Sequence, residues 1–410
     1  MTPSNEGGSM AEQTEVVVIG GGYAGVTAAN RLTQRDDVTV TLINPRPTFV
    51  ERIRLHQLVG GSDDAVVAYR AVLADGIRLV VDTATRIDAP ARRVTLAVGG
   101  PIGYDYLIYA VGSGSADPRV PGAAECAYPL ASLEEAARLR AILDAAPAPA
   151  AVTVVGGGPT GIETAAELAE AGRAVTLVCG AVLGPYLHPR GRRAVAKRLA
   201  QLGVTVLAGP GATATAVTRD AVVLSDGRTL PSMVTIWTAG FGVPDLAARS
   251  GLRTDAPGRL LTDETLTSVD DARIVAAGDA ATPSGLPFRM SCQAAGPLGA
   301  HAADTVLRRI AGEQPAPVAL GFVGQCLSLG RGVGFFQFAH KDDTARGIHL
   351  GGRLGAQLKE FVCWGTVKQL AIEARKPGLI VVPAWATDGK RRQLLQATRG
   401  EASATAESVV

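Results

Sequence analysis

Two glycine-rich turns of one form carry the chemistry legible in this chain: Gly20-Gly21-Gly22-Tyr23-Ala24-Gly25 and Gly156-Gly157-Gly158-Pro159-Thr160-Gly161. Each follows a short apolar run, 16–19 and 152–155, and each opens a stretch of helical periodicity. In a strand-turn-helix of this kind the first glycine permits the tight bend. The second lets the backbone approach a pyrophosphate, and the third lets helix and strand pack closely. The helix N-terminus adds N–H donors and partial positive charge. One such turn is a weak signal. Two of them, each between a strand and a helix, imply that two dinucleotides bind at once and that electrons pass from one to the other.

The elements that must hold these turns are those of an α/β protein. A strand at 16–19, a helix at 24–34 and a strand at 38–43 make a first βαβ unit; a strand at 152–155, a helix at 160–171 and a strand at 174–178 make a second. Runs at 77–81 and 93–98 predict an antiparallel meander leading into a strand that closes on Gly112. After the second unit the chain returns through 273–280, another strand closing on a glycine turn, and a helix from about Ser291 to Ile310. The pattern predicts two nested Rossmann-like dinucleotide-binding domains plus a small C-terminal region. The boundaries are a flexible leader at 1–14, one domain at 15–120 and 255–317, and the inserted domain at 121–254. A C-terminal region follows at 318–390, then a disordered tail at 391–410.

Composition excludes several classes. The chain of 410 residues is 47% hydrophobic and 19% charged with net charge +2, so nothing argues for nucleic acid or an electrostatic membrane patch. Its N-terminus is polar, and no apolar stretch reaches the roughly 18–20 residues that span a bilayer. A cytoplasmic protein is expected, at most attached at the inner face of the membrane. The cysteines Cys126, Cys179, Cys292, Cys326 and Cys363 are scattered, without a C-x-x-C or metal-ligand clustering. That spacing argues against a metal site and against a dithiol–disulfide reductase of the usual design.

Four motifs in order, GGGYAGVTAANRL, YDYLIYAVGS, GGGPTGIETAAELAE and IVAAGDA, make the chain resemble FAD/NAD(P)H flavoproteins of the pyridine nucleotide–disulfide oxidoreductase type, within them the type II NADH dehydrogenase and apoptosis-inducing-factor-like group. The likeness covers about residues 15–310. It implies that Gly20, Gly22 and Gly25, with Tyr23 and Ala24 inside the turn, surround the FAD pyrophosphate. Gly112 would pass close to the flavin or its diphosphate, and Asp279, after Gly278, would hydrogen-bond the ribityl chain. Gly156, Gly158 and Gly161 would hold NADH or NADPH, with Glu163 beside flavin and nicotinamide. The helix near Ser291 would aim its N-terminus at the flavin.

Departures from the family pattern fall at the nucleotide and acceptor ends. The acidic residue expected about 20 residues beyond each glycine turn is Asn44 at the first, and at the second the strand ends in Cys179-Gly180. An amide still accepts a ribose hydroxyl, and without the second acid nothing repels a 2′-phosphate. Arg190, Arg192 and Arg193 read more simply as a solvated helix face. Quinone-reducing relatives carry two glutamines one turn apart; here Gln293 is the first, a candidate donor at the flavin edge, and Pro297 occupies the place of the second. Sulfide:quinone chemistry needs a cysteine where Glu163-Thr164 stand. Arg52, Arg54 and His56 read as solvated surface, with the border of the FAD phosphates as the alternative. In 354–372, Leu354, Leu358, Phe361 and Val362 share a helical face suited to a membrane surface, the protein's own core or a second subunit, with Trp364 a candidate anchor. Three functions stay open: transfer from NAD(P)H to a quinone or similar small acceptor, a flavoenzyme acting on a specialised metabolite or ferredoxin-like protein, and a redox-sensing NAD(P)H-binding interaction protein.

Overall fold

The computed structural model describes residues 13–147, 150–379 and 387–397. In chain order the elements that position the site are β1 (Thr14–Ile19), α1 (Tyr23–Leu32), β2 (Val38–Asn44), α2 (Leu55–Gly60), β3 (Arg78–Val81) and β4 (Tyr106–Tyr109). The chain then builds a second unit from β5 (Ala127–Pro129), β6 (Ala151–Val155), α3 (Pro159–Glu170), β7 (Ala174–Val178), α4 (Pro189–Gln201), β8 (Thr205–Leu207) and β9 (Val234–Trp237). It returns with β10 (Ile274–Ala276) and α5 (Cys292–Ile310). The C-terminal part is β11 (Gly324–Ser328), β12 (Gly334–Ala339), β13 (Ala345–Gly351) and α6 (Gly352–Arg375).

Both units are five-stranded parallel sheets. The order is β10-β4-β1-β2-β3 in the first and β5-β9-β6-β7-β8 in the second. β1 and β6 occupy the same place in their sheets. Each is buried along its length after its first residues, as strands covered on both faces must be. Small residues let α1 and α5 approach closely: a Cβ at Gly299 would overlap the carbonyl of Ala24. The C-terminal sheet is antiparallel, order β11-β12-β13, and packs beside α6.

Three expectations change. Residues 78–81 are the parallel edge strand β3 of the first sheet, and the antiparallel meander is Ala84–Asp88, Arg93–Leu96 and Ile102–Gly103. An edge strand exposed at both ends reads like a meander strand from its sequence alone. Thr14, assigned to the leader, already pairs with Val38 in β1; the leader before Gln13 lies outside the described residues. Of the tail expected to lack structure, 391–397 is helical. Arg391 fixes it: buried, it pairs with Glu264 at 2.9 and 3.0 Å and donates to the carbonyls of Pro283 and Leu286. Residues 398–410 lie outside the described residues.

Candidate active site at the two glycine turns

The two turns share one geometry. Gly20 and Gly156 adopt φ of +105° and +131°, where a side chain is strained. A Cβ at Gly25 would overlap the carbonyl oxygen of Gly20, and one at Gly161 the carbonyl oxygen of Gly156. By contrast, a Cβ at Gly22 or at Gly158 would meet nothing within 4 Å. That open side is where a pyrophosphate would approach. The first intrahelical bond of α1 runs from Val26 N to Gly22 O, and that of α3 from Ile162 N to Gly158 O. The N–H groups of Tyr23, Ala24 and Gly25, and of Thr160 and Gly161, therefore precede any intrahelical acceptor. Pro159 at the first helical position has no N–H to place there. Both cradles fit a dinucleotide.

Around the first cradle, several expected residues come together. Asp279 Oδ2 accepts from Ser113 Oγ at 2.7 Å, and Arg52 donates to Ser113 Oγ at 3.0 Å while lying 3.6 Å from Asp279. Gly112 adjoins this group; a Cβ there would stand 3.9 Å from Arg52 Nη1. Gly278 and Ala24 are packed against each other, so Ala24 offers only its backbone to the turn. The side chain of Tyr23 also turns inward, edge-on to Phe49 at 5.0 Å. Asn44 is built into the turn itself: Oδ1 accepts from Gly21 N at 3.0 Å and Nδ2 donates to Arg46 O at 2.8 Å. One lone pair of Oδ1 stays available to a ribose hydroxyl.

Behind the second cradle lies a buried charge cluster. Glu163 Oε1 accepts from Ser328 N at 2.8 Å and pairs with Lys359 Nζ at 2.9 Å; Oε2 stands 3.8 Å from His56 Nδ1. Burial alone would raise the Glu163 carboxyl, but Lys359, helped by the Ser328 N–H, outweighs it and holds it below the ordinary range. Burial would likewise lower Lys359, and Glu163 overrides it, so both stay charged. His56 behaves differently: burial pushes it down to about 4 despite Glu163. Ser328 and Lys359 were not anticipated, and His56 was expected at the surface or beside the FAD phosphates rather than here. None of Arg52, Arg54 and His56 is solvated surface: Arg54 bonds Glu51, Gln57 and Glu360. Lys359 lies on the stripe Gly355, Lys359, Cys363, the buried face of α6, whereas Leu354, Phe361 and Trp364 point outward.

This arrangement sets an acid limit on stability. Between the ordinary histidine value of 6.5 and about 4, the unfolded chain binds a proton at His56 that the folded chain does not. Stability therefore rises with pH across that window, and on the order of 3 kcal/mol is lost as the pH falls through it. Denaturant unfolding across the acid range is expected to show this slope in the native chain and a shallower one in His56→Gln.

Gln293, expected as a donor at the flavin edge, has its side-chain amide engaged by the C-terminal part. In the amide orientation that satisfies both ends, Nε2 donates to Gly324 O at 3.0 Å and Oε1 accepts from Val323 N at 2.9 Å. It pins α5 to the C-terminal sheet. At the nucleotide end, Cys179 packs under Gly157, its thiol pushed up to about 12 by burial. Arg192 donates to Leu187 O, and Arg190 Nη1 would lie 3.9 Å from a Cβ on Gly347. Among the described residues no group of side chains is arranged to hold a metal ion, and no helix is long and apolar enough to cross a membrane.

A sequence profile described as pyridine nucleotide-disulphide oxidoreductase matches residues 14–303. The chain is 31% identical over 328 residues to an NADH dehydrogenase-like protein of Mycobacterium tuberculosis, covering 72% of this chain and 80% of that one. It is 29% identical over 347 residues to a type II NADH:quinone oxidoreductase of the same organism, covering 73% and 74%. Its fold is similar to that of NDH2 from Plasmodium falciparum in complex with NADH, with TM-score 0.73 at 16% identity over 90% of this chain and 99% of that one.

Proposed function

The chain belongs to the pyridine nucleotide-disulphide oxidoreductase family, and on that premise we propose that it takes hydride from NAD(P)H onto FAD and passes the electrons to a quinone or a similar small acceptor. The observation that carries this reading is the pairing of two like cradles with one buried carboxylate. Glu163 follows the second turn by two residues and is fixed by Ser328 and Lys359 from the C-terminal part. Bound FAD would supply the two-electron relay. The first turn, Arg52, Ser113 and Asp279 would hold its phosphates and ribityl chain, and the second turn would orient the nicotinamide for transfer. Glu163, held as a carboxylate out of water, would border the nicotinamide and favour the positive charge that develops there.

The nucleotide preference follows from β7. No acid ends that strand to repel a 2′-phosphate, and Arg192 is engaged by the Leu187 carbonyl. NADH is expected to be preferred over NADPH by no more than about tenfold in kcat/KM, equivalent to about 1.4 kcal/mol. Steady-state rates with both nucleotides check this. A ratio of several hundredfold either way would mean that another group reads the 2′ position.

On the acceptor side, a quinone is supported by the relatives' names rather than by a pair of glutamines. The outward face of α6, where the Phe361 and Trp364 rings lie 5.8 Å apart, is offered to a membrane surface or to a second copy of the chain. Vesicle flotation and sedimentation separate the two. Turnover with a soluble quinone tests the reading itself: rates well above those with oxygen support it, and rates no faster than with oxygen reject it.

A further inference from the structure

The strand β11 passes the head of α3 and brings two polar groups to it. Ser328 N donates to Glu163 Oε1. Three residues earlier, Gln325 lines a narrow cleft with Pro159 and Ile162 of α3, Tyr186 and Leu187 from the loop between β7 and α4, and Leu327 of β11. Gln325 and Leu327, two apart in a strand, share one face of the sheet. Ile162, Leu187 and Leu327 are buried and make the walls apolar, whereas Tyr186 is exposed and marks the open side. Among the described residues, nothing donates to Gln325 Oε1, although that atom is buried. Its cross-strand neighbour shows what a structural amide does here. Gln337 stands opposite Gln325 in β12. Gln337 Nε2 donates to Arg346 O at 2.6 Å and Ile348 O at 3.0 Å, and its Oε1 accepts from His188 N at 3.3 Å. Gln337 thereby pins the C-terminal sheet to the inserted domain. Gln325 pins nothing with its carbonyl, and a buried acceptor left open calls for an explanation other than stability.

We propose that Gln325 is a positioning residue for the nicotinamide, accepting a hydrogen bond at Oε1 from the N–H of its carboxamide. The proposal rests on the reading that NAD(P)H is the hydride donor, and it names the side chain that orients the reacting ring.

The chemistry of cleft and ligand match. A primary carboxamide carries two N–H donors at the edge of a flat ring, and the cleft offers apolar walls with one open acceptor. With its pyrophosphate on the second glycine turn, a nucleotide whose ring borders Glu163 has that ring at the head of α3, where the cleft lies. The adenine amine is also a donor, but the adenosine end belongs at the close of β7, whereas Gln325 shares a strand with the donor to Glu163. A nicotinamide can turn over about its bond to the ribose and present either face to a partner. One fixed acceptor at the carboxamide edge holds one of the two, and alignment is what hydride transfer needs.

The test titrates the FAD-loaded, oxidised protein with NAD⁺, with its 3-acetylpyridine analogue and with ADP-ribose. The analogue replaces the carboxamide NH₂ by methyl, so it keeps the carbonyl and loses the donors; ADP-ribose lacks the ring. The native protein is expected to bind NAD⁺ roughly tenfold more tightly than the analogue, the effect of leaving one buried acceptor unpaired. Gln325→Met, similar in shape but without the acceptor, should bring the two affinities within about twofold of each other and leave that for ADP-ribose unchanged. Its melting temperature without nucleotide should not fall, because no partner is lost. The same loss of preference should appear in flavin reduction by NADH against the reduced analogue, where the intrinsic reactivities of the two donors cancel between native and variant. Equal affinity of the native protein for NAD⁺ and the analogue would overturn the proposal with no variant needed. So would a Gln325→Met protein that keeps the preference, or one that loses ADP-ribose in step with NAD⁺. If NADH leaves the native flavin oxidised, the oxidoreductase reading falls with it; if NADH bleaches the flavin and the preference ignores Gln325, only the role of Gln325 falls.

Discussion

Replacing Lys359 by methionine is expected to destabilise the protein by about 3–5 kcal/mol, the cost of leaving one member of a buried ion pair without its partner. Lys359 and Glu163 are both nearly sealed from solvent and 2.9 Å apart. Without the ammonium, Glu163 would keep the Ser328 N–H and a neutral His56, too little to hold a charge in that setting. Its carboxyl would then rise above its unfolded value. The Lys359→Met deficit should therefore be largest at neutral pH and shrink as acid protonates Glu163. The double variant Lys359→Met/Glu163→Gln should regain most of the loss, because no charge is left stranded. Urea unfolding of the four chains in the cycle measures this directly. If the two single changes simply add, the pair is not coupled and Glu163 is held by something other than Lys359.

The second large effect separates binding from folding within one turn. Gly158→Ala puts its methyl group into open space on a backbone with ordinary φ, so the fold should tolerate it. That space is the approach to the pyrophosphate, and the KM for NADH should rise by about tenfold to a hundredfold, a loss of roughly 1.4–2.7 kcal/mol of binding. Gly161→Ala, three residues on, drives its methyl into the carbonyl of Gly156 and close to Thr238 Oγ1. It should lower thermal stability of the inserted domain as well as nucleotide affinity, as overpacking does. Thermal melts beside KM values distinguish the two. A Gly158→Ala protein with native KM would place the nucleotide elsewhere.

What was legible in the sequence is what local physics writes there. The third glycine of each turn is required by the carbonyl of the first, five residues before it. The helices and strands around them carry their own periodicity, so the nested α/β order and the helix opening at Ser291 could be read directly. The charge cluster could not. Glu163, His56 and Lys359 come from α3, α2 and α6, far apart in the chain, and a lysine in an amphipathic stretch reads as solvent-facing. The one local sign was Lys359 lying between Gly355 and Cys363 at intervals of four, a line of small residues that marks the side packed against the body. The contacts of Gln293 were hidden for a related reason. Its amide is occupied by the backbone of Val323 and Gly324, some thirty residues on, which no motif records. Arg391 has the same lesson: its partners Glu264 and Phe288 lie more than a hundred residues upstream.

The most direct test of the central claim is anaerobic stopped-flow of the FAD-loaded protein mixed with NADH and then with a soluble quinone. Rapid bleaching of the flavin, followed by its prompt return on adding the quinone, is the predicted result. Bleaching to a long-lived charge-transfer species that the quinone leaves untouched would contradict it and make this chain a sensor or a reductase of another partner.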